Sequence, residues 1–80
     1  MAHTIEVYSA GGGITIAETY IDPTHYAVVS TDAPDVLSIY KYNAENFAFM
    51  PEDMVFCENI DALDDEKKAL HAELLDALNK

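Results

Sequence analysis

The chain contains no arginine. Its fixed positive side chains are Lys41, Lys67, Lys68 and Lys80, so the first forty residues carry none. Against them stand fifteen acids, and the formal net charge is −11. Phosphates need cations to hold them, so this balance argues against nucleic acid as a direct ligand. It argues equally against an anionic membrane surface. The one cysteine, Cys57, cannot form an internal disulfide. Its neighbours Val55 and Phe56 are apolar, so the expectation is a buried, inert thiol. No apolar run approaches the roughly 18 residues of a transmembrane helix. The stretch from Met1 to Glu6 lacks the basic start and apolar block of a signal peptide. These absences suit the cytoplasm.

Half of the 80 residues are hydrophobic, which is a folding composition for one small domain, residues 1–80. A core of this size stabilises only modestly, so a homodimer is compatible with it. The clearest signal lies at the end. Leu63, Leu70, Leu74 and Leu78 recur at helical spacing, with Ile60 and Ala77 on the same stripe. Asn59 or Asp61 can cap the start. Asp61, Asp64, Asp65 and Glu66 would then sit near the positive end of the helix dipole. Asp64 with Lys68, and Asp76 with Lys80, form i,i+4 pairs of favourable order. The pattern predicts a helix over 60–79, within a helical portion of 59–80.

Residues 1–57 read as strands. His3 to Ser9 alternates, with Ile5 and Val7 on one side and Thr4, Glu6 and Tyr8 on the other. Gly11-Gly12-Gly13 permits a tight reversal, and Ile14 to Ile21 is the return strand. Asp22-Pro23-Thr24-His25 is a turn. Tyr26 to Thr31 and Val36 to Tyr42 are the third and fourth strands. Phe47 to Met50 reads as a short fifth. Pro51-Glu52-Asp53 is either a turn before a strand over Met54 to Cys57 or the start of a helical turn, and the strand is preferred. The expected fold is α+β: an antiparallel meander of about five or six strands, with one C-terminal amphipathic helix packed on one face.

Motifs for chemistry are lacking. A phosphate loop needs a helix after its glycines, and here Ile14-Thr15-Ile16 continues as a strand. His71 and Glu73, two apart on a helix, do not share a face for a metal. The acids from Asp61 to Glu66 lack the glycine and alternation of a calcium loop. Cys57, Ser9, Ser30 and Ser38 have no nucleophile motif around them. The expectation is therefore a binding protein with no catalytic residues, cofactor or metal.

Two surfaces are candidates for binding. Tyr8, Tyr40 and Tyr42 fall on the sheet face opposite the helix, which antiparallel sheets can leave open. Glu58, Asp61 and Asp65 follow 3-and-4 spacing, and Glu66, Glu73 and Asp76 follow 7-and-3. Each trio would lie along one stripe of the helix. With Asp64 they would present carboxylates every few ångström, a sparser row than duplex DNA, which carries about one negative charge per 1.7 Å of axis. A basic nucleic-acid-binding surface would be steered to such rows.

In size, acidity, missing arginine and a compact meander with a helix, the chain resembles the small acidic inhibitor proteins of phages and mobile elements. The anti-CRISPR proteins and DNA mimics are the best-known groups. The resemblance implies a stoichiometric binder in the host cytoplasm. It would block the nucleic-acid channel or PAM-reading surface of a CRISPR effector, or another DNA-binding protein. It assigns no role to any residue, because those groups share no motif. The competing expectation is a plain cytosolic interaction module, homodimeric through its sheet, whose acidic face is merely solvated.

Overall fold

The computed structural model describes residues 3–46 and 49–80. It is an α+β fold with one five-stranded antiparallel sheet in the order β1-β2-β3-β4-β5. The strands are β1 (Glu6–Gly11), β2 (Ile14–Asp22), β3 (His25–Ser30), β4 (Ala33–Lys41) and β5 (Met54–Asn59). One helix, α1 (Asp65–Leu78), follows. The sequential order reflects the tight turns. Gly11, Gly12 and Gly13 all have positive φ, at 87°, 61° and 81°. At the next reversal the Asp22 carboxylate accepts the Thr24 N–H at 2.8 Å, the turn expected there.

Alternation along the strands gives the sheet two faces. Ala17, Ala27, Val29, Leu37 and Ile39 point to α1 and form one core with Leu63, Leu70 and Leu74. Leu37 and Leu74 are fully buried, each contributing roughly 1.5–3 kcal/mol by leaving water. Two polar side chains are buried beside them. Thr19 donates its hydroxyl proton to the Thr4 carbonyl at 2.7 Å, which fastens the segment before β1. His71 donates from Nε2 to the Pro34 carbonyl at 2.7 Å, which ties α1 to the start of β4.

The helix is shorter than its leucine spacing predicts. It starts at Asp65, not Ile60. Asn59 caps a separate 3-10 turn over Ile60–Ala62 by accepting the Asp61 N–H. Leu63 and Asp64 are extended, and the Asp64 side chain accepts the Lys67 N–H at 2.8 Å as the cap of α1. Leu63 still reaches the core, but from a linker. The capped start pairs Asp64 with Lys67 at 3.3 Å in place of Lys68, while Asp76 and Lys80 meet at 3.6 Å as expected.

Other expectations change too. The short strand over 47–50 does not form in its described part; residues 47 and 48 lie outside the described ones. Phe49 has φ of 66°, which a strand does not accommodate, and Met50 is extended outside any strand. Both readings of Pro51-Glu52-Asp53 have a share of the outcome: one 3-10 turn, then β5. Cys57 is exposed, not buried. It lies on an edge strand and points away from α1, so apolar neighbours in sequence do not cover it. Among the described residues no helix is long and apolar enough to cross a membrane.

Candidate partner-binding surfaces

The predicted acidic stripes divide. Glu58 belongs to β5, Asp61 to the 3-10 turn and Asp65 to α1, so the first trio does not follow one helix. A helix cannot run through the extended backbone at Leu63 and Asp64. What forms instead is an acidic pole around the start of α1. Glu58, Asp61, Asp64, Asp65 and Glu66 are all exposed there. Of the two neighbouring cations, Lys67 is engaged with Asp64 and lies 5.3 Å from the Phe56 ring centroid, and Lys68 is exposed. The Lys67 N–H on the Asp64 carboxylate, ahead of any charge effect, holds the Asp64 carboxyl below its usual range.

The second trio does lie on α1, but two of its members have partners. Glu73 accepts the His3 backbone N–H at 3.3 Å, and its other oxygen meets the His3 ring Nδ1 at 3.2 Å. The backbone bond chiefly lowers the Glu73 carboxyl's pKa. Asp76 pairs with Lys80. Glu66 therefore belongs with the pole, Glu73 with the binding of the N-terminal segment to the helix, and Asp76 with Lys80 at the helix's C-terminal end. No acid in the chain is buried.

The second sheet face is less open than its position suggests. Tyr40 was expected on an exposed binding surface, yet it is 8 % exposed. Ile16, Tyr26, Val28 and Tyr40 form a core of their own, with Tyr8, Ile14 and Phe49 packed on it. Tyr20 pairs with Tyr26, and Tyr26 with Tyr40, across three neighbouring strands. The Tyr26 and Tyr40 rings stack at 5.5 Å, and Phe49 meets both edge-on at 5.9 and 5.7 Å. The Phe49 backbone N–H donates to the Tyr26 hydroxyl at 3.1 Å, which anchors the main chain that carries this ring lid. Tyr42 does remain half-exposed, as does Tyr20. Beside the lid, Ile14, Ile16, Val28, Val36 and Tyr40 line an apolar groove of about 240 Å³.

Sequence reasoning missed Phe49, Tyr20 and Tyr26 as parts of this face. The two-residue turn at Pro23-Thr24 was the available signal for the tyrosines, because it sets β2 and β3 in register. Nothing local announces Phe49, which reaches the sheet from a loop. Among the described residues no group of three His, Cys, Asp or Glu side chains gathers to hold a metal ion. Compared with protein-family models, curated proteins and solved structures, the chain matches none.

Proposed function

We propose that the protein is a stoichiometric binder whose acidic pole docks on the basic surface of a nucleic-acid-binding protein and blocks it. The observation that carries this reading is the cluster of exposed carboxylates from Glu58 to Glu66, on a chain of net charge −11. They come from the end of β5, the 3-10 turn and the start of α1, and all are exposed. Such a surface would compete with phosphates for lysines and arginines and would attract them over a Debye length, about 8 Å at physiological salt. A CRISPR effector is the partner class that the resemblance suggests. The site of action is then a bacterial host's cytoplasm.

The test is affinity capture from such a host at low salt, followed by a DNA-binding assay on the purified complex. The control carries Glu58→Gln, Asp61→Asn, Asp65→Asn and Glu66→Gln, and keeps Asp64 because it caps α1. Capture of a nucleic-acid-binding protein that loses its DNA in the complex, abolished in the control, is the expected result. Capture that persists in the control would remove the pole from the contact.

A second reading rests on the apolar groove beside Phe49. It makes the protein an interaction module that pairs with a copy of itself through the sheet. Sizing at high salt separates the two: an apolar dimer persists there, while a complex made through the pole dissociates.

A further inference from the structure

Between the second sheet face and the side chains of Asn43, Asn46 and Asp53 lies a cleft of about 90 Å³, whose lining shares no residue with the acidic pole or the apolar groove. Its lining includes Glu18, Tyr20, Tyr26, Tyr42, Asn46 and Asp53. At roughly 30 Å³ per water, it has room for a few waters or one small planar group. Tyr20 and Tyr42 stand half-exposed on it, so their ring faces are accessible.

The two carboxylates in this cleft are held by neutral donors. Tyr8 donates its hydroxyl proton to Glu18 Oε1 at 2.8 Å, and no described residue donates to Oε2. Asp53 receives one amide N–H on each oxygen, from Asn43 at 3.4 Å and Asn46 at 3.1 Å. These bonds orient the carboxylates without cancelling their charge. No lysine lines the cleft. Lys41 precedes Tyr42, but it pairs with His25 and so falls on the helix-covered face.

Two uncompensated carboxylates between tyrosine rings make an environment for an organic cation. An anion would be repelled, and a metal ion would want more ligands than the cleft supplies. A guanidinium fits best. Its plane can stack on a tyrosine face, and its fork of N–H donors can reach carboxylates on two sides. We propose that this cleft binds one arginine side chain presented by a partner protein. The occupant rests on the reading of a basic partner given above; the affinity of the cleft itself does not.

The experiment is an amide NMR titration of the intact protein with N-acetylarginine amide, with the neutral isostere N-acetylcitrulline amide as control. Expected are shifts confined to the neighbourhood of Glu18, Tyr20, Tyr42 and Asn46, with the citrulline compound binding roughly tenfold more weakly or worse. Glu18→Gln should weaken arginine binding by a similar factor. Tyr42→Ala, at an exposed position, should weaken it by a few-fold while the remaining spectrum overlays that of the parent. Equal binding of citrulline, or equal response in Glu18→Gln, would overturn the assignment. So would shifts centred on Asp61, Asp65 and Glu66, which would mark diffuse attraction to the pole. No partner is present in this titration. Its failure removes the cleft and leaves the pole standing, while failed capture removes the pole and leaves the cleft.

Discussion

Ala17 and Ala27 face the helix, while their sequence neighbours Ile16 and Tyr26 face the other way from the same two strands. Both faces are apolar, but they are closed by different means. On the first, small side chains at the centre of the sheet let α1 approach, and Leu70 and Leu74 fill the remaining space. On the second, no helix arrives. Bulky rings from three adjacent strands cover one another, and one loop residue, Phe49, completes the cover. A helix covers a face with many side chains held by one backbone. A lid of one ring depends on one rotamer and one unusual φ. The first face should therefore carry most of the stability, and the second most of the adaptability.

The largest effect should come from Leu74→Ala. Leu74 is fully buried in the first core, and such truncations cost about 2–5 kcal/mol. In a small domain that is a large part of the total, and a urea melt would show it. A loss below about 1 kcal/mol would mean that α1 is not the main cover.

Phe49 tests the second face with a smaller expected loss, about 1–3 kcal/mol for Phe49→Ala, since the ring is only half-buried. The φ of 66° adds a comparison. Glycine tolerates that conformation, whereas alanine retains a strain of roughly 1 kcal/mol. Both variants should be less stable than the parent, with Phe49→Ala below Phe49→Gly. If Phe49→Gly proved more stable than the parent, strain would outweigh packing and the ring would not be the closure.

High pH should loosen the second face selectively. Burial comes first among the causes that raise the Tyr8, Tyr20 and Tyr40 phenols above their ordinary value of 10.0, and for Tyr8 the bond to Glu18 adds to it. The unfolded chain then releases these protons first. The stabilisation is complete below about pH 10 and is lost as pH rises through the folded values. Urea midpoints measured from neutral to about pH 11 should fall at the alkaline end, and Tyr8→Phe should flatten the fall. An unchanged slope in Tyr8→Phe would assign the loss to another group.

The first face was legible because its signals are local. Alternation in Leu37 and Ile39 and the 3.6-residue recurrence of Leu70, Leu74 and Leu78 point to one sheet and one covering helix. The start of α1 was not, because Leu63 has both the spacing of a helical residue and the extended backbone of a linker. Only Asp64, a better cap three residues before Lys67, separates those cases. The second face was half legible. Tyr26-Ala27-Val28-Val29 is an unbroken apolar run, the pattern of a central strand covered on both sides. Its cover came from a loop, and loop positions carry no periodicity to read. The acidic residues were visible as charge, but their grouping into a pole and a helix lock required knowing that β5 ends at Asn59 and that His3 reaches Glu73.

The smallest expected effect is at Asp64, and it distinguishes the two faces by location. Asp64→Ala removes the acceptor for the Lys67 N–H and should fray the first turn of α1. Leu70 sits just beyond that turn, so hydrogen exchange should quicken in the first face and leave Tyr26 and Tyr40 as protected as before. Asp64→Asn keeps a capping oxygen and should retain most of the protection. It should lose a pH dependence, however. The Asp64 carboxyl is held below its ordinary value of 3.8, so its contribution is present above that value and disappears as pH falls through the folded one. The parent should therefore fray at its first helical turn in acid, and Asp64→Asn should do so less. If exchange quickened equally on both faces in Asp64→Ala, the two covers would open as one unit and the contrast between them would fail.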